Sequence, residues 1–413
     1  MKKVLSLCMI LVLLFSLVAC GETETPADSS NNGAQTLGPA GTVSGYRDIS
    51  SLPGMMDFSH ALLNACAEEG ENLLLSPLSV NIALSMAANG AEGETLEQMK
   101  TFLADGREME AWNGLLMGYV QKLMERKNSR LHMANAVLSK EGNVTLTDTF
   151  SETLRTKYGA QIASRPFNEE TLHLLNDWVN TNTDGMIPSL LDRFDEETVL
   201  LLVNVLLLEA VWEYPRTEKS LSDGIFTAAD GSRQDVTMMS SSNYVFYQWQ
   251  QAIGTGLSLQ DGYSMVVILP EEGKTPEEVL AQMSSAELNK GLDNPKRAQV
   301  TVELPKFSME YETDLKDVLT ALGLQKAFEG GDFSPMGSSE DGPLALQKVI
   351  HKTALELDEK GIKAAGLTAD LVCGSGMPPT EKREVILDRP FAFMILGTGN
   401  VPIFAGIVNS IDQ

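Results

Sequence analysis

The side chains that could do chemistry are few and do not form a catalytic set. Four histidines, His60, His132, His173 and His351, are present, and none stands in a metal-spaced pair such as HExxH. Ser375 lies between Gly374 and Gly376 but lacks both outer glycines of a GxSxG nucleophile elbow, and no Walker loop occurs. Of the four cysteines, Cys8 and Cys20 fall in an apolar N-terminal run, Cys66 in a helical pattern and Cys373 beside Ser375, so no stapling disulfide is expected. The chain reads as a non-enzyme with no metal and no cofactor.

The stretch that holds Ser375 has a different potential. Ala354 to Phe391 reads ALELDEKGIKAAGLTADLVCGSGMPPTEKREVILDRPF. It begins as a strand, with Leu355 and Leu357 alternating against Glu356 and Asp358, and breaks at Glu359-Lys360-Gly361. The residues from Ile362 to Ala369 are mostly small, the pattern is lost from Asp370 to Met377, and Pro378-Pro379 forces an extended exit. This is a poor helix and a poor turn-anchored loop. Its small side chains fit a narrow slot between two strands, which gives the segment two homes.

The remaining chain must build the body around that slot. It has 413 residues, 43% apolar, enough for a large core. With 31 basic against 56 acidic residues the net charge is −25, which repels nucleic acid and anionic membrane faces. MKKVLSLCMILVLLFSLVAC has the layout of a secretory leader, with an apolar core too short for a comfortable membrane span. Its ending, Leu17-Val18-Ala19-Cys20, resembles a bacterial lipobox. That likeness implies a signal peptide over residues 1–19, diacylation of Cys20 and an exported lipoprotein on the bacterial cell surface, held firmly by two acyl chains. Residues 20–51 are rich in Gly, Ser, Thr, Pro, Asn and Ala and read as a flexible tether. No repeat or second linker follows, so residues 52–413 are expected to form one domain.

Along that domain, Phe58 to Ala67 has helical spacing, and Asn72 to Leu75 reads as a short buried strand. Ser76 caps the next helix, with Pro77 at its first position. Leu131 to Leu138 alternates as a strand, Phe150 to Tyr158 reads as a helix, and Val199 to Trp212 as a strand buried on both sides. Asn204 inside that run needs a partner, since an unpaired buried amide costs roughly 2–7 kcal/mol. Phe226 to Met239 fits a hairpin, Tyr263 to Pro270 a buried strand and Thr301 to Phe307 an alternating strand. Leu315 to Leu322 is a helix ended by Gly323, and Ala392 to Leu396 with Pro402 to Val408 closes the chain as a strand pair.

Several of these blocks, in order, resemble the serpin family. NLLLSPLSVNIALSMAANGAEGETLEQM is similar to the serpin opening block, and ELPKFSMEYETDLKDVLTALGLQKAF to a later one. DEKGIKAAGLTA resembles the hinge of a reactive-centre loop and RPFAFMI the strand after it; the likeness runs from about Asn72 to Asn409. It implies a mixed α/β multi-sheet serpin fold, with three β-sheets, about eight or nine helices and an exposed reactive-centre loop over about residues 359–382. Asn176 to Leu191 resembles the helix that crosses the large sheet, ending at Gly185. Ser76, Ser79, Asn204 and its partner His351 match the family's shutter, and Trp212 the site where an inserting loop first enters the sheet. Glu209 departs from the pattern, because the family more usually has a basic residue there, which puts local charge pairing in doubt.

The resemblance further implies inhibition of serine proteases by suicide trapping, with the cut loop entering the main sheet. Glu359, Gly361, Ile362, Ala364, Ala365, Gly366 and Thr368 would be the hinge. Strand alternation puts Ile362, Ala364, Gly366, Thr368, Asp370, Val372 and Gly374 on one face, which family register makes the inward one. The first four are small or apolar, which favours inhibition, whereas Asp370 would be costly to bury and is a reason for stalled insertion. The alternative is a non-inhibitory serpin-fold binding protein whose loop is cleaved as a substrate. Family spacing puts the reactive bond at Ser375-Gly376, with Gly374 and Cys373 as neighbouring options. Small residues there suit a shallow specificity pocket, so elastase-like or subtilisin-like serine proteases are the expected partners, with a papain-like cysteine protease as another class. The expected assembly is a monomer. Cys20→Ala should release the protein from membranes into the aqueous phase of a detergent partition; continued membrane association would contradict the lipobox reading.

Overall fold

The computed structural model describes residues 7–17, 37, 49–362 and 381–411. Cys20, Ala364, Ala365, Gly366, Thr368, Asp370, Val372, Cys373, Gly374, Ser375 and Gly376 lie outside the described residues. The fold is mixed α/β, with three sheets among the described residues. Its main sheet is built from β1 (Leu7–Leu17), β2 (Arg130–Lys140), β3 (Gln161–Arg165), β4 (Thr198–Val211), β5 (Phe307–Asp314), β6 (Leu344–Asp358) and β7 (Gly361–Ile362). Across this sheet the order is β5, β6, a place shared by β7 and β1, then β4, β2 and β3. A nine-stranded second sheet packs behind it, and Gly337–Ser339 pairs with Val144–Leu146 in a small third. Ten α-helical segments occur among the described residues, the last being the single turn Gln325–Phe328, close to the expected eight or nine.

Strand β4 shows why the sheet is central. All but one of its fourteen residues are buried, the exception being Glu209 near its end. Leu200, Leu202, Leu206 and Leu208 face the main core, while Leu201, Val203, Val205 and Leu207 join a second cluster with Leu175, Trp178 and Val179. A helix therefore covers the sheet's outer face, which is what an unbroken apolar strand requires. That helix runs Glu169–Asn182, capped by Asn168 through its bond from the Thr171 N–H. It begins before the Asn176 start expected from the family block and stops before Gly185, because Asp184 and Gly185 both take positive φ and turn the chain.

The single strand expected over Thr301 to Phe307 is instead two. Lys296–Pro305 belongs to the second sheet and β5 to the main sheet, with Lys306 at the crossing. Pro305 has no N–H to continue a ladder, so the chain changes sheets there. The other large difference concerns Leu7–Leu17, the apolar core of the expected leader. It is extended and lies antiparallel between β6 and β4, from Cys8 opposite Ala354 to Leu17 opposite Leu344, and from Leu7 opposite Leu208 to Ser16 opposite Thr198.

Candidate functional site

The site follows the seam between β6 and β4. At its upper end β6 stops at Asp358, whose Oδ1 accepts bonds from the N–H groups of Lys360 (2.7 Å) and Gly361 (3.2 Å), which fixes a tight turn. Gly361 then takes φ 139°, and a Cβ there would lie 2.2 Å from the Ala210 carbonyl oxygen, so only glycine lets the backbone enter the seam. Gly361 pairs with Val211 and Asp358, and Ile362 with Ala210 and Leu357. Gly361 and Ile362, both expected in the hinge, thus lie between β6 and β4.

Trp212 closes this end. It is 1% exposed, its Nε1 donates to the Asp358 carbonyl at 2.9 Å, and its backbone N–H donates to the Lys360 carbonyl at 3.1 Å. Arg216 stacks its guanidinium 3.8 Å from the indole centroid, and burial pushes its pKa down to about 10. Glu359 pairs with Lys306 at 2.5 Å. Burial opposes ionisation of that carboxyl, but the Lys306 bond, the backbone and Lys360 together hold it below the usual carboxylate range. Glu209, the unusual acid, is paired with Arg130 at 3.4 Å, so its charge is answered locally. A cleft of about 770 Å³ opens beside the turn, lined in part by Lys306, Glu356 and Asp358.

Midway down the seam, the helix Pro77–Ala88 points its start at the sheet. Ser76 caps it, accepting from the Ser79 N–H. Ser79 Oγ donates to Asn204 Oδ1, Asn204 Nδ2 donates to Asn135 Oδ1 at 2.7 Å, and Asn135 Nδ2 donates to the Tyr158 carbonyl at 2.8 Å. All four polar side chains, with His351, are 0–1% exposed. The expected Asn204–His351 pairing is not formed. Both residues are opposite Leu11, so β1 separates the two strands that would bring them together. His351 instead accepts the Ser76 N–H on Nε2 at 3.2 Å. That assigns the ring proton to Nδ1, which is buried and has no partner among the described residues.

Asn135, Lys306 and Arg216 belong to this arrangement and were not singled out from the sequence. Asn135 carried a usable signal, an amide in the middle of an apolar strand, the same argument that marks Asn204. Lys306 and Arg216 carried none, because their partners are distant in the chain.

Burial drives the pKa of His351 down to about 3. The unfolded chain takes up a proton near pH 6.5 while the folded ring stays neutral, so this contribution to stability is complete above pH 6.5 and falls as pH drops toward 3. Between pH 7 and 5 the loss from His351 should be about 2 kcal/mol. Denaturant unfolding at the two pH values should show a smaller difference in His351→Gln; an equal difference would contradict a buried neutral ring.

Comparison with known proteins agrees with this geometry. A family model described as serpin (serine protease inhibitor) matches residues 53–411. Alpha-1-antiproteinase of Rattus norvegicus is 28% identical over 381 residues, covering 88% of this chain and 89% of that protein. An alpha-1-antitrypsin-like protein of Tamias sibiricus is 30% identical over 377 residues, covering 87% and 89%. Among solved structures, the thermophilic serpin tengpin superposes in its native state with a TM-score of 0.81 at 33% identity, covering 90% of this chain and 97% of that one. Its latent state gives a TM-score of 0.77 at 32% identity, covering 87% and 97%. The chain belongs to the serpin family, the family of serine protease inhibitors.

Proposed function

We propose that this protein is an exported, lipid-anchored bacterial inhibitor that traps serine proteases by inserting its cut loop between β6 and β4. The observation that carries the reading is the hinge: Gly361 and Ile362 occupy the first two positions of a strand between β6 and β4. Continuing their register sets Ala364 opposite Leu208 and Leu355, Gly366 opposite Leu206 and Thr353, and Thr368 opposite Asn204 and His351. Leu208, Leu206 and Leu355 face the main core, so the inserting face carries small or apolar groups.

In the proposed reaction the protease serine attacks the carbonyl of the residue before the cut, at Ser375-Gly376 or a neighbouring bond, and the C-terminal fragment leaves as the amine. The freed loop then zips into the sheet and carries the acylated protease with it. Hydrogen bonds gained by about a dozen residues, roughly 0.5–1.5 kcal/mol each, are nearly offset by about 1–2 kcal/mol of ordering each. Packing of the inward face must therefore decide the outcome. Thr368 has a particular part in this, because its hydroxyl would arrive beside His351 and accept the Nδ1–H, which has no partner among the described residues. Asp370 opposes insertion, since the register places it opposite Leu202 and Val349, both 0% exposed. That is the feature favouring the substrate reading, in which the loop is cut without trapping.

With the leader removed, incubation with pancreatic elastase should yield a complex that survives SDS, and clean cleavage without complex would decide for the substrate reading. Ala364→Arg should abolish the complex while leaving cleavage intact; unchanged trapping would contradict insertion in this register. Thr368→Val should destabilise the cleaved form by about 1–3 kcal/mol relative to the intact one, with Thr368→Ser close to wild type. Equal stability of the Val and Ser forms would remove the His351 contact.

A further inference from the structure

Arg216 is held at a cost that nothing among the described residues offsets. Its guanidinium lies 3.8 Å from the Trp212 ring centroid, Nη2 donates to Ser241 Oγ at a long 3.5 Å, and Nε is buried with no partner among the described residues. Burial alone pushes its pKa down to about 10, so no carboxylate among the described residues answers the charge. Glu213 and Glu218 stand within three residues of it in the chain, and neither pairs with it. With 56 acidic residues against 31 basic, anions are plentiful elsewhere, and a desolvated cation is ordinarily given one. Two large apolar side chains are exposed among the described residues, Tyr214 at 58% and Tyr244 at 50%. Both belong to this corner: Tyr214 is two residues before Arg216, and Tyr244 is three residues, about 10 Å, along the strand from Ser241.

The position of this corner says what reaches it. On one side, Trp212 bonds the Asp358 and Lys360 carbonyls, just before Gly361 and Ile362 enter the seam. On the other, Ser241 lies opposite Val302, which lies opposite Val385 in the strand Lys382–Ile386, about 10 Å away across two strand spacings. Residues 363–380, the segment proposed to be cut, are therefore attached to the body on both sides of Arg216. A protease that closes on that segment brings its own surface down over Tyr214, Arg216 and Ser241.

We infer that Arg216, flanked by Tyr214 and Ser241, docks a carboxylate on the surface of the target protease, beside its cleft. The inference rests on the inhibitor reading above and adds a second determinant of which protease is taken. A guanidinium stacked flat on an indole presents its N–H groups in one plane, the geometry that a carboxylate matches with paired bonds. Tyr and Arg are also among the side chains enriched where protein interfaces are strongest. Small residues at Ser375 and Gly376 admit many proteases, and the charge at Arg216 sorts among them. Its desolvation is complete before the acid arrives, so the unpaired cation weakens the free protein and strengthens the complex.

The test uses a chain beginning at Gly21, and its Arg216→Met, Arg216→Lys and Tyr214→Ala variants, against pancreatic elastase and subtilisin. Association rate and stoichiometry of trapping are measured separately, with each protease native and with its surface carboxylates amidated. The inference expects Arg216→Met to lower the association rate with at least one native protease by about tenfold or more, Arg216→Lys by less, and Tyr214→Ala by about threefold or more. Amidated protease should not distinguish wild type from Arg216→Met. A rate unchanged with both native proteases overturns the docking spot and leaves the inhibitor reading standing. So does an effect that survives amidation, or one confined to stoichiometry, which would make Arg216 a support for Trp212 instead. If no chain traps either protease, the inhibitor reading fails, and binding is measured to the same proteases with the nucleophilic serine replaced by alanine. Affinity lowered about tenfold by Arg216→Met then sustains the docking spot, and equal affinity ends it.

Discussion

Backbone hydrogen bonding between β6 and β4 permits one strand there and no more. The outer edges of the two strands are paired with β5 and β2, and their facing edges need one extended segment between them to pair their N–H and C=O groups, which β7 and β1 supply here. The Gly361 turn, the Trp212 closure and the Ser79–Asn204–Asn135 chain all sit along this seam. Their placement makes sense as control of who enters. Glycine admits the backbone at the top, the indole holds the Asp358–Lys360 turn in place, and the amide network anchors β4 to β2 and to the helix beneath.

The polar groups at the middle of the seam are matched to occupancy. Asn204 is satisfied by Ser79 and Asn135, which anchors β4. Among the described residues His351 is satisfied on one nitrogen only, through the Ser76 N–H. An unpaired buried donor costs about 1–3 kcal/mol, so the strand that brings an acceptor to this position has an advantage over one that does not. Leu11 of β1 is the residue opposite His351.

Much of the body was legible in the sequence because burial on both faces leaves a plain mark. The run Val199 to Trp212 could be read as a central strand, and Ser76-Pro77 as a helix start, from local chemistry alone. Boundaries moved where tertiary contacts decide them. The helix over the main sheet begins at Glu169 because Asn168 caps it, and its first turn is too polar to show an apolar period. The sheet change at Lys306 depends on which sheet lies on either side of Pro305, which no local pattern encodes. Asn204 was recognisable as needing a partner, but its partners, Ser79 and Asn135, lie far away in the chain, and the expected His351 is held off by a strand in between. The pairing of Leu7–Leu17 could not be read at all, since an apolar run suits an export leader and a buried strand equally.

The central claim is mechanical, that the body is more stable with its own severed loop in the seam than with the loop outside. Thermal unfolding of the Gly21 chain before and after nicking at the reactive bond measures this most directly. The account predicts that the nicked protein melts tens of degrees higher than the intact one, well beyond the roughly 2–4 °C that 1 kcal/mol moves a large domain. A nicked form that melts at the same temperature or lower would contradict it.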